Sequence, residues 1–570
     1  MSMKKRTLLL GALLATLLSG AKADVDPNFY IYICFGQSNM EGNAQWESMD
    51  NTVEPNHRFR LLATCKFSNP ARTMGQWYDA KPPLVSPTGK LGPSDYFGHT
   101  MAAALPENVR IGVIPVAIGG CKIEMFDKSK YKTEINKGDY SAGLANQHYG
   151  GNPYKRIIDM AKKAQEAGVI KGILLHQGCS NTGDPNWPDM VKKIYNDILT
   201  DLGLKAVDVP LFVGEVEYKG AGTNSDSGAC SGHNTQVARI PSVIPTGHVV
   251  SAKDVPGNNV DPWHFSALGY RMLGKRYALE VLKTMGLDAK PDAQYTMPQA
   301  LAKFYGAKSI TAASNGVIVP GSKIAVTATF NDNHKEDVSD YVTFSSNDVL
   351  IQNGKIVGAG EGEVQVAYTD FCNHTTTAIL NLTVSFFPMT ADYLKPRQGT
   401  VKIDYDTRVL TFSTTNAQAG WLYDTPIDLS PYKYLVFKLK EPQVTDAEIR
   451  LFRRTGSSLS LGHREIIGDR TVVAIDLHKM KYSNKELDPS VIGKVVFHSP
   501  KKGVLALDDV FLSNDDTYAA YTTSIRDANG VESPFKAPLY SLDGRLAQPD
   551  VVKPGIYIRT GKKIFLRSYE

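Results

Sequence analysis

What this chain has little of bounds it first. Only six cysteines occur in 570 residues, Cys34, Cys65, Cys121, Cys179, Cys230 and Cys372, at long and irregular separations. No C-x-x-C pair is among them, so neither a zinc knuckle nor a dithiol redox motif is written here, and no metal or cofactor is expected. The thiols read either as core residues or as bridges whose connectivity spacing alone does not give. Excess charge is also scarce: 63 basic against 58 acidic side chains leaves +5. With no lysine and arginine block beyond "KKR" at the start and "SPKKG" later, nucleic acid is not an expected partner. After the N-terminus no apolar run approaches the roughly 18 residues that a membrane span requires.

The N-terminus itself, "MSMKKRTLLLGALLATLLSGAKA", has a basic start, an apolar stretch from Leu8 to Leu18 and small residues at Ala21 and Ala23. That is the pattern of a secretory signal peptide over residues 1–23, so the mature chain is expected to be secreted or held at the cell surface. The length predicts three to four domains at roughly 150 residues each. Over residues 24–288 apolar runs such as "FYIYICF", "VRIGVIPVAI", "VIKGILLHQG", "VPLFVGEV" and "GHVVSA" alternate with amphipathic stretches such as "YKRIIDMAKKAQEAG" and "SALGYRMLGKRYALEVLKTMG". Near-continuous apolar strands between such helices predict an α/β domain, a flavodoxin-like parallel sheet with helices on both faces. Beyond residue 296 the texture changes to short alternating segments, and "QNGK" between two apolar runs is a hairpin signal. All-β sandwich modules are expected there: an immunoglobulin-like unit at 296–386, a second sandwich at 388–515, then a linker and small β unit at 516–570.

Chemistry enters at "YIYICFGQSNMEGNA", where a buried strand ends in a polar turn holding Ser38. In parallel α/β sheets the carboxyl ends of strands meet ligands, because helix N-termini aim free N–H groups there. A serine hydroxyl at such an end becomes a nucleophile only if a base takes its proton and a third group holds the base. "NNVDPWHFSALGY" supplies both: Asp261 precedes His264 by three residues, close enough for the carboxylate to accept from Nδ1–H and leave Nε2 for Ser38. None of the other histidines has aspartate at that spacing. Donors for an oxyanion are sought at two further strand ends, Gly119 and Gly120 in "VAIGGCKIE", and Gln177 and Asn181 in "HQGCSN". His176 reads as a buried support of its turn, and His99 as lying on the first turns of a helix begun near Ser94 or Asp95.

Taken in order, "GQSNMEG", "GGCKIE", "HQGCSN" and "DPWHFSALGY" resemble the successive blocks of SGNH-type hydrolases, in particular the sialate O-acetylesterase and acetylxylan esterase group, and most nearly carbohydrate esterase family six. The resemblance covers about residues 28–288. It implies Ser38 as nucleophile, Asp261 and His264 as acid and base, and an oxyanion hole from Ser38, Gly119 or Gly120, and Gln177 or Asn181. Many relatives carry glutamate within the third block where this chain has Cys179. The implied activity is a serine carbohydrate O-acetylesterase acting on acetylated polysaccharide, acetylxylan foremost, with O-acetylated sialic acid as the alternative. A pocket just large enough for an acetyl methyl is expected, with Trp46, Trp77, Trp187 and Trp263 as a platform for sugar rings. The 388–515 unit resembles carbohydrate-binding sandwiches and implies a glycan contact. The 539–570 tail resembles sorting domains of the type nine route and implies contact with secretion machinery. The reading from another class is a non-catalytic, cell-surface glycan-binding protein.

Overall fold

A computed structural model of the chain describes residues 25–287, 297–313, 316–352, 355–441 and 445–522, with strands at 540–541, 555–559 and 562–566. The expected signal peptide lies outside the described residues. The chain divides into two compact units: the first holds everything to Ile310 together with Thr327–Tyr341 and Tyr368–Thr377, the second the remainder.

The first unit is built on a seven-stranded sheet. Its strands are β1 (Phe29–Gly36), β2 (Phe59–Leu62), β3 (Trp77–Asp79), β4 (Arg110–Ala117), β5 (Val169–His176), β6 (Leu211–Gly214) and β7 (Gly247–Val250), in the spatial order β3-β2-β4-β1-β5-β6-β7. From β2 to β7 every pairing is parallel. With β2 set aside, the order β4-β1-β5-β6-β7 is the flavodoxin-like one, which changes direction around β1. The edge strand β3 runs antiparallel to β2. Its three residues are too few to show a period in the sequence.

Side-chain alternation on β1 explains why both faces are covered. Ile31, Ile33 and Phe35 enter one apolar core with Ile157, Ala161 and Ile194 from helices Pro153–Ala164 and Trp187–Leu202. Tyr32 and Cys34 enter another with Tyr96, Phe97, Tyr270 and Leu273 from helices Pro93–Ala104 and Ala267–Thr284. A strand apolar at every position is what a sheet buried on both faces needs. Ser266 caps the Ala267–Thr284 helix by accepting from Gly269 N–H at 3.0 Å. The Pro93–Ala104 helix is capped not by Ser94 or Asp95 but at Gly92, whose N–H donates to Asp95 Oδ2 at 3.0 Å.

The expected boundary near residue 296 does not separate compact bodies, because parts of the 296–386 segment belong to the first unit. Lys275, on the long C-terminal helix and 2% exposed, reaches both carboxylate oxygens of Glu336 at 3.1 and 3.2 Å, with the rings of Phe304, Tyr305, Phe330 and Phe371 around its ammonium. Burial by itself would raise the Glu336 carboxyl, but the charges of Lys275 and His334 outweigh it and hold it at about 2. Glu336→Gln would strand the lysine charge, and removing one partner of a buried pair costs about 3–5 kcal/mol. Urea unfolding of the variant should register that loss.

The remaining strands of 296–386 form a three-stranded sheet and a five-stranded one. Val349–Gln352 and Lys355–Thr369 pair antiparallel with Gln352 opposite Lys355, flanking the expected turn, whose Asn353 and Gly354 are outside the described residues. In the second unit two five-stranded antiparallel sheets enclose Trp421, Leu435, Phe437, Ile449, Phe497 and Leu505, a sandwich. One sheet has strands β8 (Lys395–Gln398), β9 (Ala417–Ile427), β10 (Thr445–Thr455), β11 (Ser458–Gly468) and β12 (Ile492–Ser499), in the order β8-β9-β12-β10-β11. The last strands, Tyr540–Ser541, Gly555–Arg559 and Lys562–Leu566, make a small antiparallel sheet. Among the described residues no helix is long and apolar enough to cross a membrane.

Candidate active site

At the carboxyl end of β1 the chain turns sharply into the short helix α1 (Ser38–Glu41). Gly36 permits the turn: a Cβ there would lie 2.1 Å from the His176 carbonyl oxygen of β5, and its φ of 150° is one that side chains disfavour. Gln37 N–H then donates to that same His176 carbonyl at 3.0 Å, fixing the position from which Ser38 projects.

Ser38 Oγ lies 2.8 Å from His264 Nε2, and His264 Nδ1 lies 2.8 and 2.9 Å from the two oxygens of Asp261. The aspartate and histidine meet in a non-helical loop ahead of the Ala267–Thr284 helix. Asp261 Oδ1 accepts from Trp263 and His264 N–H at 2.9 and 3.1 Å, and Oδ2 from Asn258 Nδ2 at 3.2 Å. Burial pushes the Asp261 carboxyl upward, but these donors and His264 prevail and hold it below its ordinary value. Asn39 couples the two halves across 224 residues: its Nδ2 donates to Trp263 O at 2.9 Å while its Oδ1 accepts from Tyr270 OH at 2.6 Å.

Ser38 and His264 open into a cleft of about 360 Å³, with Asp261 behind the histidine. That is far more than an acetyl methyl fills, and it corrects the smaller pocket expected; the volume is within the range that takes a sugar-sized ligand. Ser38 N–H, at the first position of α1, has no partner among the described residues, and neither has Gly120 N–H in the cleft wall, where φ is 73°. Gly119 is different: its N–H donates to the buried Glu41 Oε2 at 2.8 Å and is not open to a ligand. Glu41 Oε1 also accepts from Ser86 Oγ at 2.7 Å and Thr88 Oγ1 at 3.2 Å, so this carboxylate braces the glycine turn. Burial raises its pKa in spite of these bonds.

Gln177 and Asn181 do not reach the cleft, which corrects their reading as donors. Gln177 is fully buried; its Nε2 donates to Cys121 O and Asn181 Oδ1 at 3.2 and 2.8 Å, and its Oε1 accepts from Trp187 Nε1. Asn181 in turn accepts from Ile123 N–H and donates to Glu124. Their amides are consumed in holding the turn together. Two amides do line the cleft, Asn43 and, directly before Ser38, Gln37. Its Oε1 accepts from Gly178 and Ser180 N–H at 3.0 and 3.3 Å, which fixes the amide orientation and leaves Nε2 without a partner among the described residues. Gln37 stood in the "GQS" motif, yet nothing in the sequence told it from the other amides.

Of the four tryptophans expected as a sugar platform, Trp263, 47% exposed, lines the cleft. Trp187 is core, Trp77 packs on it, and Trp46 lines a separate cleft beside Tyr78. Tyr140, 73% exposed, faces the first cleft and carried no sequence signal. Cys179 stands in the cleft wall next to Cys230; none of the six cysteines is bridged, and four are buried. His176 and His99 are buried, which lowers each to about 4. His176 Nε2 pairs with Glu215 O at 2.9 Å, and His99 packs against Phe59.

Residues 28–283 match the model of a family described as carbohydrate esterase, sialic acid-specific acetylesterase. Among solved structures, a protein from Arabidopsis thaliana aligns at 19% identity with TM-score 0.33, over 45% of this chain and 99% of its own. NanS aligns at 13% identity and TM-score 0.33, over 46% and 99%. A family 2 carbohydrate esterase with a carbohydrate-binding domain, from Myceliophthora fergusii, aligns at 14% and 0.24, over 46% and 68%. The chain thus carries, at residues 28–283, a carbohydrate esterase domain of the sialic acid-specific acetylesterase family, a carboxylic ester hydrolase.

Proposed function

We propose that this domain is a serine O-acetylesterase that removes acetyl groups from plant polysaccharide, acetylxylan foremost. The observation that carries the chemistry is the continuous chain from Ser38 Oγ through His264 to the Asp261 carboxylate, 2.8 Å at each histidine nitrogen. Ser38 Oγ attacks the acetyl carbonyl carbon as His264 Nε2 takes its proton. The resulting oxyanion accepts from Ser38 N–H, Gly120 N–H and Gln37 Nε2–H. The C–O bond to the sugar then breaks, and the sugar oxygen receives the proton from His264. A water, deprotonated by the same nitrogen, attacks the acetyl-serine, releasing acetate and restoring Ser38. Asp261 keeps the Nδ1–H tautomer and offsets the imidazolium charge. Trp263 and Tyr140 offer apolar faces to the sugar at the rim.

Deacetylation of O-acetyl sialic acid is the second reading, favoured by the description of the matching family. Purified protein is to be given acetylated xylan and O-acetyl sialic acid in parallel, with acetate release measured. Faster release from xylan, per unit kcat/KM, supports the first reading; release from sialic acid alone replaces it by the second. Loss of acetate release from both would favour the non-catalytic glycan binder.

Gln37→Glu gives a narrower test, because the glutamate retains an acceptor for Gly178 and Ser180 N–H but presents no N–H to the oxyanion. Loss of one such donor lowers kcat by about 10²–10³-fold. Steady-state kinetics on 4-nitrophenyl acetate should return that loss with KM little altered.

A further inference from the structure

The sandwich of the second unit has one sheet face that its core does not use. On β9, β12, β10 and β11, residues alternate across the sheet: Ala419, Trp421, Phe497 and Ile449 point into the core. The intervening positions form the opposite face. The registers set Gln418 beside His498, His498 beside Glu448, and Glu448 beside Ile466 in one row. A second row sets Gly420, Val496, Arg450 and Arg464 side by side, and a third sets Leu422, Lys494 and Phe452.

This face carries Arg450, Arg464 and Lys494 among apolar side chains such as Val496, Phe452 and Leu422. Glu448 accepts from Arg450 Nε at 2.7 Å and from Arg464. Lys494 Nζ donates to Gln418 Oε1 at 2.8 Å and stands 4.4 Å above the Phe452 ring. Arg397 of β8 donates to Gly420 O at 2.9 Å. Two guanidinium groups thus share one carboxylate, and Lys494 adds a third cation that no carboxylate pairs among the contacts described. The field they produce is felt: burial, then Arg397 and Arg450, depress the Lys494 ammonium, and burial, then Arg450, depresses His498. Gln418, His498 and Glu448 are each less than 9% exposed although they face away from the core, and His498 Nδ1 is buried with no hydrogen-bond partner. A buried polar atom left unpaired costs free energy unless something else fills it. At the β11 edge lies the hairpin of Lys481–Tyr482 and Lys485–Glu486, whose Tyr482 is 37% exposed.

We propose that this face of the β8-β9-β12-β10-β11 sheet binds an acidic polysaccharide, the carboxylates of its sugar units resting on Arg450, Arg464 and Lys494. Guanidinium groups match carboxylates in a planar, two-point fashion. Gln418 and His498 serve the sugar hydroxyls, and Tyr482 offers a ring for stacking. The site is separate from Ser38 and its proposal does not rest on esterase activity.

The test uses the full chain carrying Ser38→Ala, so that no substrate is consumed, in affinity electrophoresis through glucuronoxylan and through the same polymer after its carboxyl groups are reduced to alcohols. Retardation by the native polymer is expected, weakening about tenfold or more on carboxyl reduction and in the Arg450→Ala/Lys494→Ala variant, as loss of charged hydrogen bonds requires. Turnover of 4-nitrophenyl acetate by the same double variant with Ser38 intact serves as the folding control and should be unchanged; if it falls, Arg450→Gln with Lys494→Gln replaces it. Equal retardation by native and reduced polymer, or no effect of the variant, overturns the proposal. Equally strong retardation by single-stranded DNA overturns it too, since that describes a general polyanion surface.

Discussion

Ser38→Ala and His264→Ala should each reduce kcat for acetyl esters by about 10⁶-fold, and the double variant should lose no more than either alone. The reason is geometric. With Oγ and Nε2 2.8 Å apart, proton and nucleophile leave one site together, so either deletion removes the whole step. What survives is catalysis by the remaining donors and by substrate binding. Initial rates on 4-nitrophenyl acetate for the two single variants and the double decide the matter. Losses that multiply in the double variant would mean that the residues act in separate steps.

The second large effect is at Asp261. In Asp261→Asn the Oδ1 position accepts from Trp263 and His264 N–H, which fixes the amide with its NH2 where Oδ2 now stands, 2.9 Å from His264 Nδ1. An N–H facing Nδ1 favours the tautomer in which Nε2 carries the proton. That tautomer cannot accept from Ser38, and a loss of about 10⁴ in kcat is expected. KM should hardly move, because the aspartate does not line the cleft. A loss below tenfold would show that the carboxylate only shapes the loop.

Some of this site was legible in the sequence because its cues are local. Ser38 announced itself where an apolar strand broke into a polar turn. Asp261 and His264 were paired by a three-residue spacing that one loop can close. The donors were not legible, because a backbone N–H is free only if nothing distant takes it. Gly119 and Gly120 look alike in the sequence, yet Glu41, 78 residues earlier, occupies the first and leaves the second open. Gln177 and Asn181 looked suited to an oxyanion but are absorbed by Trp187, Cys121 and Glu124, partners that only the folded chain assembles. The same holds for the fold. The parallel strands were visible as apolar runs, whereas the antiparallel Trp77–Asp79 edge is too short to show a period. The boundary near residue 296 blurred because a buried lysine on the last helix pairs with Glu336, a contact across 61 residues.

The central claim is that Ser38 carries the acetyl group between two half-reactions. Rapid-quench mass spectrometry of the protein with excess 4-nitrophenyl acetate tests it directly. The account predicts a transient gain of one acetyl group per chain, confined to the peptide containing Ser38 and missing in Ser38→Ala. Turnover with no acetylated peptide at any quench time, or acetylation of a different residue that persists in Ser38→Ala, would contradict it.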